Sequence, residues 1–242
     1  MPELQPLIDD LVNANHILYH HGIVDGYGHV SVRHPANPER FLMAAAVSPG
    51  RVKASDILEL DLDGKQTDGG NRPTYSERFI HAEVYRARKD VNSVIHSHSP
   101  TVIPFSVTDV PLRPIAHTAS FLEIGVPVFN TRHVPEATSP LVNNPAVGKA
   151  LVAKLAQNNV VLMRGHGDTV VGPDVREAVS RAIYTEVNAR LLLQALALGR
   201  PIEYVETEEA RVMESRVVNP GSGSGHGVDR VWQMWVDEVK RK

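Results

Sequence analysis

With 242 residues, 42% of them hydrophobic, the chain is long enough to bury a sizeable core as one domain, or as one domain with a tail. A net charge of -3 with scattered basic residues leaves no electrostatic footprint for nucleic acid, and the absence of cysteine excludes a disulfide framework and thiolate metal ligands. No uninterrupted apolar run approaches the roughly eighteen residues of a membrane helix, and the first residues lack the basic and apolar regions of a secretory leader. Cytoplasmic residence with no membrane partner is the expectation.

In chain order, a first helix is predicted over residues 2–21, stopped by Gly22 and burying Leu7, Leu11, Ile17 and Leu18. Short strands follow at 28–33, 40–44 and 57–61, the last running into a Leu-Asp-Gly-Lys turn at 62–65. Phe79, Ile80, Val84 and Ala87 keep a helical period after Thr74. Thr74 with Glu77 three places on fits a capping box, which would make the Glu77 carboxylate a structural cap. Next come a strand ending in His96-Ser97-His98, a strand near 126–130, a helix near 145–156 and an apolar strand at 160–163. Gly172-Pro173-Asp174 opens a long helix to Leu198, with Pro at an early position and Asp in the first turn, and Gly199 closes it. No G-x-G-x-x-G follows a strand, so a dinucleotide fold is not indicated; the pattern alone supports an α/β or α+β sandwich.

His96 and His98 carry the chemistry. Residues two apart on an extended chain share a face, so both imidazoles can close on one ion, and His166 in Arg-Gly-His-Gly supplies a third. Three imidazoles and one carboxylate suit a catalytic divalent metal, Zn or Mn, with room for a substrate to chelate. The plainer alternative is strand-end histidines bonded to backbone. A Ser-Glu helix start at Ser76-Glu77, followed by a His-x-His strand and a His-Gly turn, resembles the class II aldolase and adducin family. The resemblance runs from about His16 to Gly199 through the segments 28–33, 48–50, 61–64 and the helix after Pro173. It implies a three-layer α/β/α sandwich with a central, mostly antiparallel sheet, one divalent ion per subunit on Glu77, His96, His98 and His166, a small-molecule substrate, and a homotetramer or larger ring.

Sugar-phosphate members of that family hold phosphate with small donors where this chain has His29 and Tyr75, and they use helper tyrosines that it lacks; His117 falls near one of them. Ser48, Gly50 and Ser76 remain available to an anion. Other segments resemble the branch that decarboxylates hydroxy-substituted aromatic or pyridine dicarboxylates, such as dihydroxyphthalates. On that reading Glu77 or His117 moves the proton, while His29, Ser48, Arg51 and Ser76 bind substrate, with Arg51 gripping a carboxylate bidentately. Alternatives are an aldolase or epimerase of small hydroxycarbonyl compounds and a non-catalytic adducin-like protein.

Residues 219–242 read as a separate unit after a domain of 1–218: a Gly/Ser-rich linker, then a short helix bearing Trp232 and Trp235 on one face. That helix either packs on its own subunit or swings onto a neighbour, where His226 would reach an active site.

Overall fold

The computed structural model describes residues 4–218 and 227–241. Helix α1 (Gln5–His20) opens the chain with Pro6 in its first turn and buries Leu11, Ala14, Ile17 and Leu18; Leu7 packs at the edge of the core, only partly covered. Gly22, at φ +69°, takes the left-handed conformation that ends the helix. Strands β1 (His29–Arg33), β2 (Arg40–Ala44) and β3 (Ile57–Asp61) then form an antiparallel meander, closed after β3 by a turn with Gly64 at φ +76°.

Helix α2 (Arg78–Ala87) starts later than Thr74. The expected capping box is not formed. Glu77 occupies the N-cap position with no side-chain cap bond, and its carboxylate accepts the Val142 N–H at 2.8 Å instead. The Tyr75 hydroxyl donates to the Val47 carbonyl, which straps the preceding residues across the sheet end and keeps them out of the helix.

The rest of the chain adds β4 (Ser93–Ser97), α3 (Ile103–Val107), β5 (Val128–Phe129), α4 (Pro145–Leu155), β6 (Val160–Met163), β7 (Gly167–Gly172), α5 (Val175–Ala197), α6 (Thr207–Val218) and α7 (Gly227–Lys240). The sheet order is β3-β2-β1-β4-β7-β6-β5, antiparallel throughout except for the β5–β6 pair. Alternate strand residues face opposite layers. Val30, Val32, Leu42, Ile95, Leu162 and Val170 pack with α1, α5 and α7, whereas Phe41, Met43, Val94, Val161 and Val171 pack with α2 and α4. The expected three-layer α/β/α sandwich is therefore present. Asp174 is not inside the first turn of α5 but caps it, accepting the Glu177 N–H at 2.8 Å, and Pro173 lies just outside.

The C-terminal helix is not a free arm. Trp232, Trp235 and Val236 are buried in the same apolar cluster as α1 and α5. Arg176 of α5 clamps the junction, bonding Asp10 of α1 at 3.0 Å and Asp229 of α7 at 2.9 Å. Both indoles find apolar cover on the chain's own surface; the linker 219–226, with His226, lies outside the described residues. Among the described residues no helix is long and apolar enough to cross a membrane.

Candidate metal centre

Strand β4 carries His96 on the face toward α2, and His98 follows just past the strand end. His166 hangs in the turn joining β6 to β7. That turn needs Gly165 at φ +64° and Gly167 at φ +154°, and a Cβ at residue 167 would meet the Ser97 carbonyl oxygen at 1.8 Å. Only glycine lets β7 cross β4 this closely, and the crossing is what lays His166 against the His-x-His pair. Glu77, at the start of α2, completes the group: one donor atom from each of Glu77, His96, His98 and His166 lies within 4.8 Å of the others. Glu77 Oε2 is 3.5 Å from His96 Nε2 and 3.4 Å from His166 Nε2, and the three ring centroids are 4.8 to 5.0 Å apart.

The donors fit a divalent cation. His96 Nε2 and His98 Nε2 are buried and make no hydrogen bond, an arrangement that is costly unless an ion completes it, while His166 turns Nε2 toward Glu77. Two tautomers are set from behind. His96 Nδ1–H donates to the Asp168 carbonyl at 2.9 Å, and His98 Nδ1 faces both Asp25 carboxylate oxygens at 3.2 Å, so each ring turns a bare Nε2 to the centre. Burial alone would push the Glu77 carboxyl up, but the imidazoles of His166 and His96 outweigh it and hold the group well below the usual carboxylate range. Burial pushes the Asp168 carboxyl up to about 6, against a hydrogen bond from Ser97.

The other expected site residues are placed less uniformly. His29 is buried with its ring centroid 5.1 Å from that of His96 and 4.5 Å from that of Tyr75, and its Nδ1 is engaged by His81 at 2.7 Å. Ser48 is exposed beside the Asp25 loop, its hydroxyl 3.8 Å from where a Cβ on Gly26 would sit. Ser76 is exposed in the turn before Glu77, and Arg51 is exposed and makes no ion pair among the described residues. His117 lies exposed on a groove with Arg113, Tyr204 and Glu206, and no hydrogen bond or ion pair joins it to the four ligands. Asp25, which orients His98, was missed; its one signal in the sequence is an acidic residue in the Gly-rich loop ahead of His29.

Fold and donor set, with the decarboxylases and aldolase the chain is similar to, define a carbon–carbon lyase. The chain belongs to the class II aldolase and adducin family, whose Class II Aldolase and Adducin N-terminal domain matches residues 9–193. It is 33% identical to Decarboxylase tropJ of Talaromyces stipitatus, covering 95% of this chain and 92% of that protein, and 32% identical to the 3,4-dihydroxyphthalate decarboxylase of a Terrabacter species, over 91% and 90%. Among solved structures, an aldolase II superfamily protein from Pseudomonas syringae superposes with a TM-score of 0.80 at 24% identity, over all of this chain and 94% of that one.

Proposed function

We propose that this protein is a divalent-metal-dependent decarboxylase of a hydroxy-substituted aromatic dicarboxylate, such as a dihydroxyphthalate. The observation that carries the reading is the convergence of Glu77, His96, His98 and His166, with the ring nitrogens His96 Nε2 and His98 Nε2 buried and unpartnered. Decarboxylases among the relatives, matched over nine-tenths of both chains, support the choice of reaction.

Glu77, His96, His98 and His166 would hold a Zn or Mn ion, which when bound would supply Lewis acidity for loss of the carboxylate. The ring carbon that bears the leaving carboxylate takes a proton as the neighbouring hydroxyl-bearing carbon becomes keto-like; the ring carbon–carboxyl bond then breaks, CO2 leaves, and the bonding pair restores the aromatic ring with the oxygen as phenolate. Glu77, once a chelating substrate displaces it from the ion, would take the hydroxyl proton and pass it to the ring carbon, a role supported by its Oε2 lying near both His96 and His166; His117 is the second proposed donor. The exposed Arg51 guanidinium is assigned to the carboxylate that remains, with Ser48, Ser76 and His29 contributing hydrogen bonds. Assembly as a homotetramer or larger ring is part of the proposal, supported by Leu191, Leu193 and Leu196, exposed along the last turns of α5, and by Leu198 at its C-cap.

The test is a side-by-side assay of the metal-loaded protein with dihydroxyphthalates, hydroxypyridine dicarboxylates, fuculose phosphate and ribulose phosphate. CO2 release from an aromatic acid, abolished by chelation and restored by Zn or Mn, is expected. Cleavage of a sugar phosphate with no CO2 from any aromatic acid would make the protein an aldolase instead.

A further inference from the structure

Four imidazoles gather at this pocket, yet one of them is wired in the opposite sense from two of its neighbours. A row of polar groups sealed in the core runs from His29 through His81 and Ser31 to Tyr85, with at most 2% of any of these residues exposed. His29 Nδ1 lies 2.7 Å from His81 Nε2, His81 Nδ1 lies 2.6 Å from Ser31 Oγ, and Ser31 Oγ lies 2.7 Å from the Tyr85 hydroxyl. Each link holds one proton, and among the described residues no carboxylate hydrogen-bonds to any member. Two directions are therefore possible for the whole row.

If the row runs from tyrosine to histidine, the phenol donates to Ser31, Ser31 donates to His81 Nδ1, and His81 Nε2–H donates to His29 Nδ1. Every proton inside the row then has an acceptor, and the one left over sits on His29 Nε2, which is not among the sealed, unpartnered ring nitrogens. In the reverse direction Ser31 donates to the phenol oxygen and the phenol proton is stranded. The other groups at Tyr85 are the Val94 backbone amide, itself a donor, and the Arg33 guanidinium 4.7 Å from the ring centroid, which has no acceptor to offer. A stranded proton in a dry core is the costlier state.

We infer that Tyr85, acting through Ser31 and His81, holds His29 as the tautomer protonated on Nε2, so that His29 presents an N–H donor beside His96 to an anionic oxygen of the substrate. His96 and His98 donate through Nδ1 and turn lone pairs inward, which makes them ligands; His29 accepts at Nδ1 and so is excluded as a ligand. His81, Ser31 and Tyr85 are positioning residues. The substrate half of this inference rests on the reading of the pocket as a site for an aromatic dicarboxylate, whereas the tautomer does not.

The test is nitrogen NMR of isotope-labelled histidines in the full-length Zn-loaded protein, with phthalate as the binding probe. The expected spectrum has His29 protonated at Nε2 and bare at Nδ1. In Tyr85→Phe and Ser31→Ala the directing proton is lost, so His29 should become a mixture of tautomers and phthalate should bind more weakly by the fraction lost, about twofold for an even mixture and up to about tenfold where the Nε2-protonated form is the minor one, with Zn stoichiometry unchanged. A proton on His29 Nδ1 in the wild-type protein overturns the inference, as does an unchanged tautomer in both variants. Should Tyr85→Phe fail to fold, the wild-type spectrum and Ser31→Ala decide it. Failure of phthalate to bind the wild-type protein would overturn the substrate half together with the reading it rests on, while the tautomer is still judged by the spectrum.

Discussion

Asp25 steadies His98 from behind, and the consequence is measurable. Removing its charge while keeping its shape, in Asp25→Asn, should weaken Zn binding about tenfold, as loss of a group orienting a metal-bound histidine does, whereas His98→Ala should abolish both retained Zn and turnover; metal titration with a chromophoric chelator separates the two. Equal affinity in Asp25→Asn and wild type would show that the carboxylate is ornamental. Tyr75 acts through pH. Burial pushes its phenol from 10.0 up to about 12, so its contribution is fully present below pH 10 and is lost as pH rises from there through 12. Two pKa units correspond to at most about 3 kcal/mol. Tyr75→Phe should therefore lose less stability than wild type over that window in denaturant melts. The three histidines of the candidate centre were legible in the sequence because a two-residue period and a His-Gly turn announce them locally; Glu77, which by itself reads as a helix cap, joined them only through the family resemblance. Asp25 was not legible, since its contact with His98 spans 73 positions and nothing near Asp25 records it.

At the scale of elements, α7 is held by its two indoles and by the Arg176 clamp. Trp235→Ala should cost about 3–5 kcal/mol, the range for deleting a buried large aromatic, and should undock α7; a change in tryptophan fluorescence and a lowered denaturation midpoint would report both. Stability within 1 kcal/mol of wild type, on the scale of an ordinary surface substitution, would mean the helix is only loosely seated. Strands β1 to β3 and helix α5 follow their sequence signals because alternation, Gly64 and Gly199 mark them locally. Strand β7 went unread for a physical reason. Gly167-Asp168-Thr169-Val170-Val171-Gly172 has a glycine at each end and a buried carboxylate, and it is made a strand by pairing with β4 and β6 rather than by its own composition. The cap at Asp174 and the strap at Tyr75 likewise depend on backbone that neighbouring elements fix.

Across the whole molecule, the ligands occupy positions 77 to 166 and come together only when β7 is laid antiparallel on β4, with His96 opposite Thr169. Pairing strands so far apart closes a long loop and is slow. A divalent ion thus finds no pocket in the early, collapsed chain and cannot act as a folding template. Its effect should fall on the other limb of the kinetics: saturating Zn should leave the refolding rate in stopped-flow experiments unchanged and slow unfolding in step with its affinity, as expected for contacts absent from the transition state. Refolding accelerated by Zn would place the gathering of histidines before completion of the sheet. During synthesis the same order holds. A nascent chain that ends just short of β7 already carries all four ligands, and it has no means of bringing them together until the last central strand has left the ribosome.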